Sequence, residues 1–555
     1  MGSRGTEGSV IDLYPANSSR KLARRGLHLA VMTARRDFLS ATLLSAALQS
    51  AGTALPAWGC QWLSMRQPQF KSDPFVLGVA SGYPASDGMV LWTRLATNPT
   101  TPEASHGPYD LAVVYEISTD PSFSKVVQGG VTRAEANYAH SVHLEVHGLA
   151  PGRDYFYRFR AGDYVSSIGR TWTSPDGERQ TPLRIAVASC QHYEQGYFHA
   201  YSHMVEHGID LILHVGDYIY ENNTASPVRR HDTGKCKKLD DYRRRYAWYR
   251  SDPLLCAAHA HCPWLVTHDD HEVENDYAGL IAEDPDSQEG FIDRRAAAYQ
   301  AYWEHMPLPR SAMPRGSDMQ LYMTRTLSDL LGIHLLDERQ YRSPQACPTP
   351  PGRGGSSPVY VDSCLSWRDE SRSMLGITQE RWIDGQLRIS KARWNFIVQG
   401  VVMTQVDEDP GPRELYWSDS WAGYPAARRR LLESVAASQC RNPVFLSGDI
   451  HAFIVADQRI VPHTIDSPLI ASEIVTTSIS SDPPPARVIR EYDRVDLSDV
   501  FFANGSYRGY TRLTLTPSQL EAELIGYASV RGSEATAQSL ARFAIESDRP
   551  GLQRA

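Results

Sequence analysis

The stretch LILHVGDYIYE, residues 211–221, carries the pattern that decides the fold. Its apolar-rich first half predicts a short buried strand, and Gly216 ends that strand. Asp217 and Tyr220 follow, so a carboxylate and a phenol stand just beyond the end of a buried element. Because polar groups at a strand end are available to a ligand, this position predicts a functional site.

The same pattern recurs within residues 181–530, which we interpret as one catalytic domain. Apolar runs end in polar groups in LRIAVASC (183–190), PWLVTHDDHE (263–272) and NPVFLSGDIH (442–451). Stretches with helical spacing, such as GFIDRRAAAYQAYWEHM (290–306), lie between the runs. Strands that alternate with helices predict an α/β domain with a largely parallel sheet, whose ligands bind beyond the carboxyl ends of the strands.

Residues 74–175 show a different, all-β pattern. Apolar and polar residues alternate in several runs, and two sets of side chains would each face one side: Val142, Leu144 and Val146, and Tyr155, Tyr157 and Phe159. Turn motifs such as APGRD separate the runs. About a hundred residues of this kind predict a β-sandwich of immunoglobulin or fibronectin type, which we interpret as a packing or substrate-gating module.

Residues 1–57 are predicted to be an export leader. The sequence MTARRDFLSATLLSAAL, which starts at Met32, places Arg35 and Arg36 before a short, mildly apolar stretch and small residues. This order is typical of a signal for the twin-arginine export machinery. We therefore predict a periplasmic or secreted protein whose mature form begins after Ala51, with Met32 as an alternative initiator.

Composition excludes several classes of protein. A net charge of -8 and a pI near 6.2 argue against a nucleic-acid-binding surface. Outside the first sixty positions no run of about eighteen apolar residues occurs, so no transmembrane segment is expected.

The spans 220–261 and 345–366 are predicted to be irregular inserted loops, and 531–555 is interpreted as a C-terminal tail.

The eight cysteines of an exported chain permit disulfides. Two pairs are close enough in sequence to bond locally, Cys256 with Cys262 and Cys347 with Cys364. The sequence alone does not choose between these and other pairings, because eight cysteines allow about 105 connectivities.

The residues at the predicted strand ends are suited to binding two metal ions. A thiolate and a phenolate match a highly charged ion, which favours ferric iron bound by Cys190, Asp217, Tyr220 and His451. Carboxylates suit a harder second ion such as Ca²⁺, Mg²⁺ or Mn²⁺, with Zn²⁺ as an alternative, bound by Asp217, Asp270 and Asp449. Taken singly, a buried cysteine, an acidic helix start at DDHE or a turn at GDIH is also common in structural roles.

At these residues the sequence resembles the PhoD-type alkaline phosphatase and phosphodiesterase family, a branch of the calcineurin-like metallophosphoesterases. The resemblance covers about residues 74–527 and rests on VASCQ, GDYIYE, DDHEVENDY, LDERQYRS and GDIHAF in that order. It implies the same ligand sets, with iron in the first site and calcium in the second. It also implies a metallophosphoesterase-type sandwich for the α/β domain. His268 stands where tryptophan is expected, a difference that we assign to the pocket wall.

The predicted function is that of a secreted, metal-dependent phosphohydrolase of the alkaline phosphatase D type. Water activated by the metals would attack small phosphomonoesters or phosphodiesters, with Asp217, Asp270 and His271 as the catalytic residues. His271 would steady phosphoryl oxygens or protonate the leaving group. Arg339 and Arg342 are candidates for binding phosphate, although ion pairs with Asp337 or Glu338 are an alternative. A phospholipase D-like phosphodiesterase and an inactive surface-binding module are the alternative functions.

Overall fold

The computed structural model describes residues 65–66, 68–98, 107–179, 181–350, 354–409, 411–492 and 497–554, and the elements below all belong to one unit, Arg66–Ala555. In these residues the β-strands are β1 Val79–Gly82, β2 Met89–Arg94, β3 Leu111–Ser118, β4 Val126–Ala134, β5 Ser141–Val146, β6 Asp154–Ala161, β7 Tyr164–Val165, β8 Gly169–Trp172, β9 Leu183–Ala188, β10 Leu211–Val215, β11 Trp264–Thr267, β12 Met323–Leu327, β13 Leu331–Leu335, β14 Pro358–Tyr360, β15 Trp394–Val398, β16 Leu415–Trp417, β17 Pro443–Ser447, β18 Phe453–Arg459, β19 Leu469–Val475, β20 Val500–Asn504, β21 Arg508–Leu515, β22 Gln519–Tyr527, β23 Gln538–Glu546 and β24 Arg549–Arg554. The α-helices are α1 His199–Glu206, α2 Leu239–Arg250, α3 Pro253–His261, α4 Phe291–His305, α5 Gly376–Ile389, α6 Pro425–Ser438 and α7 Ala486–Tyr492.

Ten strands form the first large sheet, in the order β24-β23-β22-β21-β9-β10-β11-β1-β2-β5. Its centre is parallel, since Leu213 of β10 pairs with Val187 of β9 and with Leu265 of β11. These strands are buried along most of their length, which confirms the interpretation of the apolar runs as buried strands. Parallel neighbours need a crossover, which α1 provides between β9 and β10 and α2 with α3 between β10 and β11.

Helices α2 and α3 correct the prediction of an irregular loop over 220–261. Helix α3 begins with Pro253 at its first turn, and the Asp252 carboxylate accepts hydrogen bonds from the backbone N–H groups of Leu254 and Leu255. Helix α2 buries Arg245 and Arg250 as well as tyrosines. Because charged residues occupy the buried face of α2, the sequence lacks the apolar stripe by which amphipathic helices are predicted.

Seven strands form the second large sheet, in the order β12-β13-β15-β17-β19-β18-β20, and β13, β15, β17 and β19 run parallel. One core cluster contains residues of both sheets, among them Val187, Phe396 and Ile474. A parallel bridge joins Ser189, just past β9, to Ser478, just past β19. The carboxyl ends of the parallel strands of both sheets therefore lie at the same edge of the sandwich.

The N-terminal all-β domain shares a sheet with this sandwich. Strands β3, β4, β6, β7 and β8 form a five-stranded antiparallel sheet, while β1, β2 and β5 continue the ten-stranded sheet through the pair Gly82 and Trp264. The core between the two sheets of this domain contains Leu91, Tyr157 and Phe159. The predicted fold class is confirmed, and the β-sandwich is joined to the α/β domain through backbone hydrogen bonds.

The C-terminal strands complete the ten-stranded sheet. Leu513 of β21 pairs with Ile185 of β9, and β22, β23 and β24 follow in antiparallel order. The segment 531–555, interpreted from the sequence as a tail, contains β23 and β24, and Phe543 is fully buried. Alternation of apolar residues in LARFAIE is consistent with this strand.

Cys347 and Cys364 form a disulfide, whereas Cys256 and Cys262 are separate thiols. The disulfide lies in the span 345–366, which also contains strand β14. The predicted leader with Arg35 and Arg36 lies outside the described residues. None of the helices in the described part of the chain has the length and apolar character needed to cross a membrane.

Candidate metal centre

The predicted site residues lie past the carboxyl ends of four strands. The predicted metal ligands are Cys190 after β9, Asp217 and Tyr220 after β10, Asp270 after β11, and Asp449 and His451 after β17, and the predicted catalytic residue His271 follows Asp270. Four of them have left-handed backbones, with φ of 55° at Cys190, 56° at Asp217, 68° at Asp449 and 55° at His451. Each such non-glycine residue costs about 1–3 kcal/mol and persists only where its surroundings impose it. This concentration of strain marks the edge of the sandwich as a functional site.

Gly216 allows the turn that presents Asp217. Its φ is +110°, and a Cβ atom at this position would lie 2.5 Å from the Cβ of Asp269 and 2.8 Å from its backbone nitrogen. Only glycine tolerates both the backbone conformation and this close approach. The glycine that ends the apolar run therefore brings the loops after β10 and β11 together.

The first group of donors joins Cys190, Asp217 and His451, whose ligand atoms all lie within 4.8 Å of one another. The hydroxyl of Tyr220 lies 2.8 Å from Asp217 Oδ2 and 3.0 Å from His451 Nε2, so the phenol belongs to the same group. His451 Nδ1 is 2.7 Å from the backbone carbonyl of Asp482. Because a carbonyl only accepts, Nδ1 carries the proton and the Nε2 lone pair faces the group.

The second group of donors joins Asp217, Asp270 and His271, again within 4.8 Å. Asp217 is thus common to both groups, as a bridging ligand requires. Backbone N–H groups hold the Asp270 carboxylate, with His271 N at 2.8 Å from Oδ1 and Asp276 N at 2.6 Å from Oδ2. His271 was expected beside the metals rather than among the donors, and the structure places it in this group.

Asp449 stands apart from both groups. Its Oδ1 lies 3.6 Å from Nη2 of Arg339, and about a quarter of its side chain (26%) is exposed. Burial and the neighbouring Asp269 raise the pKa of the Asp449 carboxyl well above its ordinary value. A carboxylate in this setting is stabilised by a cation, and Arg339 forms an ion pair with it.

The donor set is electrostatically incomplete by itself. Burial raises the pKa of Asp217 well above its usual range, and burial together with Asp217 does the same for the Cys190 thiol and the Tyr220 phenol. Asp217 Oδ1 is buried and has no hydrogen-bond partner. An orphaned buried carboxylate oxygen is costly unless a cation meets it, so this donor set fits bound metal ions.

Glu221 orients His271, a contact that the sequence reasoning missed. His271 Nδ1 lies 2.7 Å from Oε2 of Glu221, which is fully buried and also accepts from the backbone N–H of Asn275 at 3.0 Å. Burial lowers the pKa of His271, but Asp270, Glu221 and Asp217 outweigh it and raise the value well above 6.5. The acid directly after Tyr220 in DYIYE was the available signal.

Glu272 ties two of the loops together rather than binding metal. Its carboxylate accepts from the backbone N–H groups of Asp217 at 3.2 Å, Tyr218 at 2.5 Å and Asp269 at 2.8 Å. Burial raises its pKa to about 7. The DDHE motif therefore combines a donor pair, Asp270 and His271, with a carboxylate that fixes the backbone carrying Asp217.

The two arginines proposed for phosphate are buried among carboxylates. Arg339 pairs with Asp269 and, at 2.6 Å, with Asp419, while Arg342 lies 2.5 Å from Asp419. Neither side chain is exposed, and their partners differ from the Asp337 and Glu338 suggested as alternatives. The arginines thus hold the loop after β16 against the site.

His268 is a core residue and not part of a pocket wall, which corrects the assignment made from the sequence. Its Nε2 lies 3.3 Å from Asp337 Oδ2, and both side chains are buried. Although burial alone would lower the pKa of His268, Asp337 raises it to about 9.

Two stacked β-sheets carry paired groups of candidate metal ligands that share Asp217 at their common edge, as expected for the metallophosphoesterase-type sandwich predicted from the sequence. Residues 185–524 match the model of the PhoD-like phosphatase family, and residues 61–175 match the PhoD-like phosphatase N-terminal domain. The chain belongs to the PhoD-like phosphatase family. The family, fold class and enzyme class predicted from the sequence are confirmed.

Individual relatives agree with this membership. The chain is 41% identical over 496 residues to alkaline phosphatase D of Bacillus subtilis (strain 168), covering 88% of this chain and 83% of the relative. A solved structure of PhoD superposes with a TM-score of 0.82 at 40% identity, covering 88% and 93% of the two chains. Purple acid phosphatase PPD1 from yellow lupin seeds has a TM-score of 0.52 at 12% identity over 85% and 74%, which shows the fold alone.

Proposed function

We propose that this protein is an exported, metal-dependent phosphohydrolase that cleaves phosphomonoesters and phosphodiesters. The observation that carries the proposal is the pair of donor groups sharing Asp217, one oxygen of which is buried with no partner. A relative at 41% identity is named alkaline phosphatase D, which supports the choice of phosphate esters as substrates.

The proposed ligands divide between two ions by the chemistry of their donors. Cys190, Asp217, Tyr220 and His451 would hold ferric iron, because thiolate and phenolate donors match a highly charged ion. Asp217 and Asp270, which lie together in the second donor group, would hold calcium with Asp449, which lies beside Arg339 outside that group; Mg²⁺, Mn²⁺ or Zn²⁺ are alternatives to calcium. Bound metal ions supply charge stabilisation for phosphoryl oxygens and lower the pKa of water.

The protein's own residues have two tasks in the reaction. In hydrolysis, water forms the new P–O bond and the ester P–O bond breaks, so the departing oxygen must gain a proton. His271, which lies beside Asp270 and contacts Glu221 through Nδ1, is the proposed donor of that proton. Glu221 keeps the ring in place through the 2.7 Å contact with Nδ1.

Export is part of the proposal. Arg35 and Arg36 precede a short apolar stretch in the sequence, the order expected for the twin-arginine route, so we place the enzyme in the periplasm or outside the cell. N-terminal sequencing of exported protein should find a start after Ala51, and retention of Met32 would contradict it.

The test is the metal content and visible spectrum of protein exported by its own signal, with hydrolysis of p-nitrophenyl phosphate and bis(p-nitrophenyl) phosphate. We expect stoichiometric iron and a broad phenolate charge-transfer band that disappears in Tyr220→Phe. The matched control is Tyr218→Phe, because the Tyr218 hydroxyl contacts His259 at 2.8 Å instead of the donors. Colourless, active protein would overturn the ferric assignment, and metal-free protein without activity would overturn the function.

A further inference from the structure

We propose that Ser481 is a positioning residue of the first donor group, which orients Tyr220 and Cys190 through its hydroxyl. The inference rests on the proposed ferric site, because the donors that Ser481 contacts are its proposed ligands. Ser481 is fully buried and lies in the loop after β19, a strand of the second sheet, whereas Cys190 and Tyr220 follow strands of the first sheet. It therefore holds donors of one sheet from the other.

Three contacts converge on the Ser481 hydroxyl. Its Oγ lies 2.9 Å from the Tyr220 hydroxyl and 2.7 Å from the backbone carbonyl of Cys190, and it accepts from the backbone N–H of His192 at 3.2 Å. One side chain thus contacts the atom by which Tyr220 would ligate a metal and the backbone that presents the Cys190 thiol.

The proton of the Ser481 hydroxyl has two possible acceptors. One acceptor is the backbone carbonyl oxygen of Cys190. The other is the hydroxyl oxygen of Tyr220, which can accept from Ser481 because its own proton points to Asp217 Oδ2 at 2.8 Å. A phenolate ligand is an acceptor only, so Ser481 is the hydroxyl that can donate to it. This donation would fix the direction of the phenolate oxygen and remove part of its charge.

The residue next in sequence supports the fourth donor. The backbone carbonyl of Asp482 accepts from His451 Nδ1 at 2.7 Å, and the N–H of Asp482 donates to the Gln195 side chain at 2.7 Å. Ser481 and Asp482 therefore contact three of the four donors proposed for iron, although neither supplies a ligand atom. Two adjacent residues of one loop thus set the relative positions of Tyr220, Cys190 and His451.

Arg508 holds the loop after β19 in place through hydrogen bonds. Its buried guanidinium donates to Ser478 Oγ at 3.0 Å and to the carbonyls of Ser481 at 2.7 Å, His451 at 3.0 Å and Gly505 at 2.6 Å. All four acceptors are uncharged oxygens, so the contacts fix backbone geometry rather than form an ion pair. Rigid support of this kind is what a positioning residue needs, since a side chain on a loose loop would not orient its neighbours.

The test compares Ser481→Ala with Ser481→Thr in the iron-loaded enzyme. Ser481→Ala should keep the charge-transfer band but move it to longer wavelength. The reason is that a phenolate that accepts no hydrogen bond transfers an electron to iron at lower energy. Iron affinity should fall about 10- to 100-fold, the usual effect of losing a group that orients a metal ligand, and iron loss to a chelator should accelerate correspondingly. Ser481→Thr keeps the hydroxyl and should restore both properties.

Ser480→Ala is the matched control. The Ser480 hydroxyl donates a hydrogen bond to the backbone carbonyl of His192 at 3.0 Å and forms none with the side chain of a proposed iron ligand. Its band and iron-loss rate should equal those of the wild type. If Ser481→Ala fails to fold, Ser481→Cys, a weaker donor of similar size, should show an intermediate shift.

Two outcomes overturn the inference and differ in what they reject. The first outcome is that Ser481→Ala, or Ser481→Cys if the alanine variant does not fold, has the same band and iron-loss rate as the wild type. This result would reject the positioning role of Ser481 and leave the ligand assignment intact. If Tyr220→Phe keeps the band, the ligand assignment fails, and the positioning role fails with it.

Discussion

Replacing Asp217 by asparagine is expected to have opposite effects on the metal-free and on the metal-loaded protein. In the metal-free protein Oδ2 accepts from Tyr220 at 2.8 Å, whereas the buried Oδ1 has no partner. Asparagine keeps an acceptor for Tyr220 but cannot ionise. Burial raises the pKa of the Asp217 carboxyl well above its usual range, so in the metal-free wild type this group either stays charged in a buried site or takes up a proton, and both cost stability at neutral pH. An unsatisfied buried group costs about 1–3 kcal/mol when it is neutral and more when it is charged, so the metal-free variant, with an uncharged amide, should gain about 1–3 kcal/mol of stability.

The size of the effect can be expressed as a melting temperature. The entropy of unfolding is about 2 cal/mol/K per residue, so for the unit 66–555 each kcal/mol corresponds to about 1 °C. The metal-free variant should therefore melt about 1–3 °C above the metal-free wild type. Metal at about a thousand times its Kd stabilises the wild type by about 4 kcal/mol, or about 4 °C, and the variant should lose this gain.

Differential scanning calorimetry of both proteins, with chelator and with iron and calcium, measures these shifts. Asp457→Asn is the control, because Asp457 is another buried acid whose Oδ1 accepts from Ser472 at 2.7 Å and is no donor of the site. It should change the melting temperature equally with and without metal. Normal metal loading of Asp217→Asn, or a metal-free variant that melts below the wild type, would refute the reasoning.

Three further predictions concern charges around the site. Glu221→Gln removes a carboxylate that raises the pKa of His271, so the alkaline limb of the kcat/KM profile should move to lower pH; an unmoved limb would exclude His271 as the proton donor. Arg339→Met leaves buried carboxylates unpaired and should reduce the free energy of unfolding by about 3–5 kcal/mol in urea titrations; a raised KM without loss of stability would instead support a phosphate-binding role. Asp337 raises the pKa of His268 from 6.5 to about 9, so this ion pair should stabilise fully below pH 6.5, and about 3 kcal/mol should be lost as pH rises through 9. In His268→Gln that loss should be absent.

The strand ends and most donors were predictable because each depends on a local pattern. An apolar run that stops at a glycine, followed by an acid, describes both Val215–Gly216–Asp217 and Ser447–Gly448–Asp449. Parallel strands bring such ends to one edge whatever the loops between them do. The proximity of Cys190, Asp217, Asp270 and His451 could therefore be predicted without any knowledge of the long connections, whereas the position of Asp449 outside both groups could not.

The contacts that join distant segments were not predictable from sequence. Arg339 and Asp419 lie 80 residues apart in sequence, and Ser481 and Tyr220 lie 261 residues apart. Neither contact can be predicted from the spacing of residues in the chain. Helix α2 was missed because its buried face contains arginines that bond within the core, which removes the apolar periodicity.

The pairing of β9 with β21 has a consequence for the order in which the protein is made. Residues 183–188 leave the ribosome long before residues 508–515, which pair with them, so β9 keeps an open edge through some three hundred residues of synthesis. An open edge next to an apolar strand invites wrong pairings. The ten-stranded sheet therefore cannot be completed until residues 508–515 have left the ribosome.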